Sequence, residues 1–292
     1  MISTCKSFCK INLFLRITGK RDDGYHNIET VFIPLEDPFD EITLDFDSAP
    51  GIKIASDSSD LPLNEKNICW KAAESFAKFA NISPAWKISI KKRIPVSAGL
   101  GGGSGNAAAV LKLLNEKYDA IGEKQLKDIA VKIGADVPYF LSPVPAKATG
   151  IGEKAKPVKM KAPLFLVLVN PKFPVSSKWA YENRISPEGK SLEIGKMVSA
   201  LGSGNADEIA KNVYNELGFA LFNKFPALKI IRDTLMEAGA LGAEISGSGP
   251  TVFAIADSTE KACEIRKKVS SMLGDAVLCF SSTSAISDFL SC

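Results

Sequence analysis

Hydrophobic and polar residues alternate over several short stretches in the first third of the chain, which is the pattern of half-buried β-strands. The first such stretch covers residues 6–17, where Lys10 and Asn12 interrupt an otherwise buriable face. A lysine there needs a partner in the interior, unless the strand lies at a sheet edge with one wet face; this stretch alone leaves both possibilities open. Further strands are predicted near residues 29–35, 41–46 and 86–92.

The apolar spacing changes to three and four residues in the intervening stretches, which indicates amphipathic helices. Helices are predicted over residues 66–80, from Ala107 to Tyr118 and over residues 123–133, the last of them ending at Gly134. Asp136 follows shortly afterwards, just before Pro138, which stops any helical continuation. Judged by position alone, such an aspartate is most simply a residue of a helix-ending turn.

Residues 164–170 read LFLVLVN and are apolar on both parities, which predicts a fully buried strand. The proline- and lysine-rich segment 154–163 before it is the best boundary candidate, so we expect two domains, 1–160 and 161–292. The second half is predicted to mix helices near 177–183, 192–201, 206–222, 226–238 and 258–273 with strands near 241–246, 251–256 and 276–280. The expected fold class is α+β.

A glycine-rich stretch, IPVSAGLGGGSGNAAAV from Ile94 to Val110, connects the predicted strand near 86–92 to a helix. So dense a cluster indicates either positive φ angles or a ligand held so close to the backbone that a Cβ atom would collide with it. Successive amides in such a loop form a concavity for anions, phosphate above all, and Ser104 is expected to cap the helix. The alternative is a tight turn with no ligand.

The spacing within this stretch excludes the two commonest phosphate loops. A Walker A loop requires Gly-Lys-Ser/Thr after four spacer residues, and a dinucleotide-binding loop requires Gly-x-Gly-x-x-Gly. No Gly-Lys pair occurs in the loop, and Ser104 or Asn106 stands where the third glycine would be needed.

Composition narrows the chemistry further. The 292 residues are 46% hydrophobic and 24% charged, and their net charge of +3 comes from scattered basic residues, so we expect neither nucleic-acid binding nor a membrane span. Six cysteines without a Cys-x-x-Cys pair argue against zinc and predict reduced thiols in the cytoplasm. His26 is the single histidine, so a general base must otherwise be a carboxylate, lysine or tyrosine. Oligomeric state is not predicted.

Three segments resemble the motifs of the GHMP kinases, the family of galactokinase, homoserine kinase and mevalonate kinase. They are KINLFL at 10–15, the glycine loop and the turn Gly247–Pro250. The resemblance implies a two-domain α+β fold with the active site in the cleft between the domains, and ATP and Mg²⁺ as cofactors. It also implies a set of ATP-binding residues, namely Pro95, Gly99, Leu100, Gly101, Gly102, Gly103, Ser104, Gly105, Asn106 and Asn67.

Two further stretches, LRITGKRDDGYHNIETVF and GADVPYF, are similar to the branch of this family that phosphorylates a small polyol joined to cytidine diphosphate. This implies transfer of the ATP γ-phosphoryl group to a tertiary hydroxyl, with Asp136 as base and Lys10 beside it. The resemblance further implies that Asn12, Tyr25, His26 and Tyr181 bind the substrate, although an aromatic and a histidine after a turn are, taken alone, more often packing residues.

One residue departs from the family pattern. Gly105 stands where many members carry a second serine, so the Mg²⁺ ligands stay unassigned. Two alternatives remain open: another GHMP kinase, acting on a substrate such as homoserine or mevalonate, and a catalytically silent nucleotide-binding protein on the same scaffold.

Overall fold

The computed structural model describes residues 1–185 and 193–284, which form two β-sheets and the helices that pack on them. The strands are β1 (Ile2–Lys20), β2 (His26–Asp45), β3 (Gly51–Ser56), β4 (Ala85–Lys91), β5 (Ala146–Thr149), β6 (Lys154–Pro157), β7 (Phe165–Asn170), β8 (Tyr214–Asn215), β9 (Gly242–Ile245), β10 (Val252–Ala256) and β11 (Leu278–Thr283).

The helices are α1 (Ile68–Ala80), α2 (Gly102–Tyr118), α3 (Glu123–Ile133), α4 (Val137–Leu141), α5 (Ser177–Glu182), α6 (Ile194–Ser203), α7 (Ala206–Lys211), α8 (Gly218–Lys224), α9 (Pro226–Glu237) and α10 (Thr259–Leu273). A short 3₁₀ turn, Gly274–Ala276, leads into β11. This mixture of helices and sheets confirms the predicted fold class.

The first sheet has the order β3-β4-β2-β1-β8, and β5 extends it by pairing with both β2 and β6. Strand β1 therefore lies inside the sheet. It pairs antiparallel with β2 on one side; on the other side β8 pairs with it in parallel, and the Lys10 amide donates to the carbonyl of Leu100 at 2.9 Å. Lys10 and Asn12 are buried, so the alternative of a wet edge strand is wrong.

Helices α1 to α4 cover one face of this sheet. The alternating apolar residues of the strands, such as Ile42 of β2 and Ile88 of β4, form a core with Phe76 of α1 and Leu111 of α2. Burying each such side chain contributes roughly 1.5–3 kcal/mol relative to its exposure to water. The short helix α4 belongs to the same core, which places the start of α4, and Asp136 just before it, at the end of α2 where the glycine loop lies.

The second sheet, β11-β7-β10-β9, is antiparallel throughout. Strand β7 is buried on both faces, as its continuous apolar sequence predicts. Val167 and Val169 face a core that includes α9 and α10, whereas Leu166 and Leu168 face a core that also contains Ile11 of β1. The two sheets thus share one of their cores.

Several predicted elements differ from the observed ones. The two strands predicted at 29–35 and 41–46 form one continuous strand, β2, and β3, β5 and β6 were not predicted. The helix predicted at 206–222 is helical at both ends, as α7 and α8, but it is not continuous, because Tyr214 and Asn215 leave the helical path to pair with β1. The helix predicted over 192–201 has its first residue outside the described residues, which resume at residue 193. Helix α6 begins at Ile194.

The predicted domain boundary at residue 160 falls between β6 of the first sheet and β7, which is the first strand of the second sheet along the chain. Strand β8, however, lies in the second half of the chain and joins the first sheet. The division into 1–160 and 161–292 therefore stays a prediction.

Candidate active site

A cavity of about 1110 Å³ opens where β1, the glycine loop, the residue before α4 and helix α5 meet. Fourteen of the predicted site residues line it: Lys10, Asn12, Tyr25, His26, Asn67, Pro95, Gly99, Gly101, Gly102, Gly103, Ser104, Asn106, Asp136 and Tyr181. Leu100 and Gly105 do not line it, because Leu100 is buried in the core and Gly105 is packed against β1. The volume lies slightly above the usual range for ligand pockets, which suits two substrates side by side.

The glycine loop turns its carbonyl groups into the protein. Gly99 and Gly101 adopt positive φ angles of +75° and +71°, which glycine tolerates and other residues rarely do. Three successive carbonyls are held by donors outside the loop: Ala98 by the Thr251 amide at 3.3 Å, Gly99 by the Ser246 hydroxyl at 3.0 Å and Leu100 by the Lys10 amide at 2.9 Å. Fixed carbonyls leave the amide side of the loop available to a ligand.

The start of α2 supplies further amides. The helix begins at Gly102 after Gly101 as N-cap, and no side chain caps it in the part of the chain that the structure describes. The prediction that Ser104 caps this helix is wrong, since Ser104 lies within its first turn. The first amides of an α-helix have no intrahelical acceptor, and the positive end of the helix dipole favours an anion there. Residues 102–104 line the cavity, so the loop fits phosphate groups.

The glycines of the loop serve mainly to pack it against the protein. A Cβ atom on Gly99 would overlap the Ser246 carbonyl oxygen, one on Gly101 would lie 2.8 Å from the Phe140 ring, and one on Gly102 would lie 2.8 Å from Ile94. Gly103 differs, because it is exposed and the nearest atom would be 3.7 Å away. The sequence suggested that contact with a ligand explains the glycine cluster. In the structure, packing explains Gly99, Gly101 and Gly102, and contact with a ligand is the better explanation only for Gly103.

Gly105 faces away from the cavity. A Cβ atom there would lie 2.7 Å from the carbonyl oxygen of Phe8 and 2.8 Å from the hydroxyl of Ser7, both on β1. A serine at this position would therefore point towards β1 and could not enter without a shift of backbone. The departure from the family pattern consequently removes no hydroxyl group from the cavity.

Lys10 and Asp136 form an ion pair at the wall of the cavity. The distance from Lys10 Nζ to Asp136 Oδ2 is 3.6 Å, and the side chains are 5% and 29% exposed. The lysine also donates to Asn12 Oδ1 at 2.6 Å and lies 4.8 Å from the ring centre of Phe32. The cation is thus fixed by three neighbours, while the carboxylate opens to the cavity.

Asn12 is itself held in one orientation. Its Nδ2 donates to Thr30 Oγ1 at 2.8 Å, and the Thr30 hydroxyl donates to the carbonyl of Phe14 at 2.6 Å. This chain directs the acceptor oxygen of Asn12 at Lys10. Since the side chains of Asn12 and Thr30 both have partners in this series of hydrogen bonds, the lysine is oriented without a free-energy penalty for unpaired groups in the series.

The third motif, the turn at Gly247, lies against the glycine loop and is held by a residue that sequence reasoning missed. Asn215 Nδ2 donates to the carbonyls of Ile245 at 2.8 Å and Gly247 at 2.7 Å, and Asn215 is 1% exposed. Gly247 and Ser248 line the cavity. Asn215 lies between Tyr214 and Glu216, and no local pattern there indicates its distant partners.

His26 and Tyr181 form an aromatic pair in the wall of the cavity. The rings of His26 and Tyr181 stack with centroids 5.5 Å apart and planes 18° apart, and Tyr25 beside them is 59% exposed. Burial, together with the positive charges of Arg184 and Lys20, lowers the pKa of His26. Burial raises the pKa of the Tyr181 hydroxyl. Both rings are therefore neutral at pH 7 and suited to an uncharged ring.

Asn67 and Asn106 both line the cavity, and they differ in which of their side-chain atoms have hydrogen-bond partners. Asn67 is the N-cap of α1; its Oδ1 accepts from the Cys69 amide at 2.9 Å and its Nδ2 donates to the carbonyl of Pro62 at 2.7 Å. Asn106 donates to Asp40 at 2.9 Å, and its Oδ1 has no partner among the described residues. That oxygen is itself buried, so in this conformation it is not open to a ligand in the cavity.

The remaining expectations concern metals, thiols and membranes. Within residues 1–185 and 193–284, no group of three His, Cys, Asp or Glu side chains is arranged to hold a metal ion, and five cysteines are free thiols: Cys5, Cys9, Cys69, Cys263 and Cys279. Cys292 lies outside the described residues. No helix in the described ranges has the length and hydropathy needed to cross a membrane.

Two family models match the chain: the GHMP kinases N terminal domain over residues 67–143 and the GHMP kinases C terminal region over residues 197–275. The 4-diphosphocytidyl-2-C-methyl-D-erythritol kinase of Pelodictyon phaeoclathratiforme is 39% identical over 265 residues, 90% of this chain and 91% of the relative. The protein of that name from Clostridium perfringens is 39% identical over 254 residues, 86% and 88% of the two chains.

Solved structures agree with these matches. A crystal structure of 4-(cytidine 5'-diphospho)-2C-methyl-D-erythritol kinase has a TM-score of 0.81 and 30% identity, and covers 96% of this chain and 98% of the other. Homoserine kinase from Cytophaga hutchinsonii, with a TM-score of 0.74 and 20% identity over 97% and 94% of the two chains, shares the fold.

Proposed function

Since the chain belongs to the GHMP kinase family, we propose that it is a 4-diphosphocytidyl-2-C-methyl-D-erythritol kinase. It transfers the γ-phosphoryl group of ATP to the 2-hydroxyl group of that substrate, a step of the non-mevalonate route to isoprenoid precursors. The observation that carries the proposal is one cavity shared by the glycine loop, the Lys10–Asp136 pair and the His26–Tyr181 stack. Phosphate binding, proton transfer and recognition of a base are thus brought together.

The glycine loop binds the phosphates of ATP. Its free amides converge on the start of α2, where fixed dipoles neutralise anionic oxygens without reorganisation during the reaction. Mg²⁺, when bound, neutralises the charge that spreads over the transferred group. Oxygen donors suit this ion, and the Ser104 hydroxyl, which lines the cavity in the first turn of α2, would hold it together with the phosphates.

Asp136 acts as the general base. It accepts the proton of the 2-hydroxyl group as that oxygen forms its bond to the γ-phosphorus atom, and the bond from phosphorus to the bridging oxygen of ADP breaks. Lys10 stabilises the negative charge on the attacking oxygen and keeps the carboxylate in place. Because the carboxylate is partly exposed and the ammonium is buried, the base can reach the substrate while the cation stays fixed.

The cytidine group binds at the aromatic end of the cavity. A base inserted between two rings needs a centroid separation of about 7 Å, twice the 3.4 Å spacing of stacked bases. His26 and Tyr181 are 5.5 Å apart, so the cytosine packs against the pair, on the side of Tyr25, and not between its two rings. The neutral imidazole of His26 then offers one donor and one acceptor to the edge of the base.

Three further features complete the proposal. The protein acts in the cytoplasm on a small molecule and has no nucleic-acid partner. Its halves, 1–160 and 161–292, correspond to the two domains of the family, with the acceptor in the cleft between them. A chain with the same fold but another substrate, such as homoserine or mevalonate, would have no use for the stacked His26–Tyr181 pair.

The test is a comparison of acceptors. Wild-type protein is incubated with Mg·ATP and, separately, with the cytidyl substrate, homoserine or mevalonate; ADP release and the phosphorylated product are measured. Turnover with the cytidyl substrate alone is expected. Efficient phosphorylation of homoserine or mevalonate would refute the proposed substrate, and no turnover with any acceptor, despite ATP binding, would favour the catalytically silent alternative.

A further inference from the structure

Asp40 of β2 is a fully buried carboxylate that does not line the cavity. Its Oδ1 accepts from the backbone amides of Arg93 at 2.8 Å and Ile94 at 2.9 Å. Its Oδ2 accepts from Lys92 Nζ at 2.5 Å and from Asn106 Nδ2 at 2.9 Å. A carboxylate has about four lone-pair sites, so Asp40 is fully occupied by these partners.

The partners of Asp40 lie on both sides of the glycine loop. Residues 92–94 connect the end of β4 to the loop, and Asn106 lies in the second turn of α2, just after it. One carboxylate therefore fixes the distance between the entry and the exit of segment 95–105. The amides available to an anion all lie between these two anchor points, whereas Asp40 itself is too deeply buried to touch a ligand.

We propose that Asp40 is a positioning residue for nucleotide binding, which holds the loop in the shape that makes its amides converge. The inference rests on the proposed function only in identifying the anion as the phosphates of ATP. Buried Lys92 supplies the positive charge that lets a carboxylate be buried at all. The hydrogen-bond acceptors of residue 40, and not its charge, carry the effect on the loop.

A matched pair of double variants separates these two contributions. Asp40→Asn with Lys92→Met and Asp40→Leu with Lys92→Met both remove the buried ion pair, so neither leaves an unpaired charge. Asparagine and leucine have nearly the same shape. The asparagine keeps Oδ1 for the Arg93 and Ile94 amides and donates through Nδ2 to Asn106, whose Oδ1 is otherwise without a partner. The leucine makes none of these hydrogen bonds.

The measurements are calorimetric titration with a non-hydrolysable ATP analogue and KM values for ATP and for the cytidyl substrate. We expect the leucine variant to bind the analogue about tenfold more weakly than the asparagine variant, a difference of about 1.4 kcal/mol. The KM for ATP should change in parallel, and the KM for the cytidyl substrate should stay within about threefold, since the aromatic end of the cavity lies on other elements.

Equal analogue affinity in the two folded variants would refute the positioning role. A parallel rise in both KM values would also refute it, because that result indicates general loosening of the protein. If the leucine variant does not fold, Asp40→Ala with Lys92→Met removes the same acceptors and gives the same comparison. Absence of cytidyl phosphorylation by wild-type protein would count against the proposed function alone, since analogue binding does not require the acceptor.

Discussion

Lys10 and Asp136 approach to 3.6 Å from the middle of β1 and the residue before α4, two places 126 positions apart in the sequence. Their environments are unequal: the lysine is buried between Asn12 and Phe32, and the aspartate faces the cavity. A change at Asp136 therefore alters the group that meets the substrate, whereas a change at Lys10 alters the group that holds the charge in place.

We expect Asp136→Asn to lower kcat by at least about 10²-fold, the usual minimum for loss of a general base, and to leave the affinity for ATP nearly unchanged. Steady-state kinetics and titration with an ATP analogue measure the two effects. Lys10→Met should lower kcat as well, and the double variant should lose less than the product of the single losses, because both residues act on one developing charge. A kcat for Asp136→Asn within tenfold of wild type would exclude this residue as the base.

Two glycines of the loop, Gly101 and Gly103, should differ in what an added side chain changes, stability or ATP binding. Gly103→Val is expected to weaken ATP binding by about tenfold or more, about 1.4 kcal/mol, with no loss of thermal stability, because a branched side chain there enters the cavity and its Cβ meets no atom closer than 3.7 Å. Gly195→Val, in the first turn of α6 and with nothing within 4 Å, is the matched control and should bind ATP normally. Wild-type ATP affinity in folded Gly103→Val would contradict the phosphate-loop assignment.

Gly101→Val should instead unfold easily. Its backbone has a φ of +71°, and the added side chain would collide with the Phe140 ring, so strain of roughly 1–2 kcal/mol adds to an overpacking cost of roughly 1–3 kcal/mol. Urea denaturation measures this loss. A Gly101 variant that is as stable as Gly103→Val would show that Phe140 can move aside.

Gly105→Ser tests whether the missing serine matters for catalysis. The added atoms would meet the Phe8 carbonyl and the Ser7 hydroxyl, so we expect a destabilisation of roughly 1–3 kcal/mol and no gain in kcat or in affinity for Mg·ATP. Ser7→Ala should relieve only part of the strain, since the Phe8 carbonyl belongs to the backbone. A higher kcat in the Gly105→Ser protein would mean that the hydroxyl does reach the phosphates.

His26 should give the KM for the cytidyl substrate a distinctive pH dependence. Its pKa is lowered from the ordinary value of 6.5, so more than half of the imidazole is neutral at pH 6.5, and KM should rise mainly below that pH. For the same reason the unfolded chain binds the proton more tightly than the folded one, and this residue lowers stability as the pH falls below 6.5. The KM for ATP should show no such rise, and His26→Ala should raise the cytidyl KM at every pH.

Sequence patterns predicted the parts of the site that local spacing determines. The glycine loop was found from its local composition and spacing, whereas the roles of Lys10 and Asp136 came from the resemblance to the GHMP kinases; the structure brings all three to one cavity. Asp40 and Asn215 were missed. Their partners lie 52 to 66 and 30 to 32 positions away in the chain, and no local pattern specifies such contacts.

Two local predictions failed, one because of a backbone turn and the other because of a tertiary contact. Ser104 is a good capping residue, but the left-handed turn at Gly101 starts the helix three residues earlier. The stretch around Tyr214 has helical spacing, but its backbone pairs with Phe14 and Leu15 of β1, and Asn215 is needed to hold the turn at Gly247.

The two-residue strand β8 affects how the protein unfolds. Strand β8 belongs to the second half of the chain but is hydrogen-bonded into the first sheet, the Glu216 amide donates to the Leu15 carbonyl at 2.9 Å, and Ile11 shares a core with Leu166. Neither half could be separated without exposing apolar surface that the other half covers. The protein should therefore melt in one cooperative step, and recombinant fragments 1–160 and 161–292 should regain nucleotide binding only when they are refolded together.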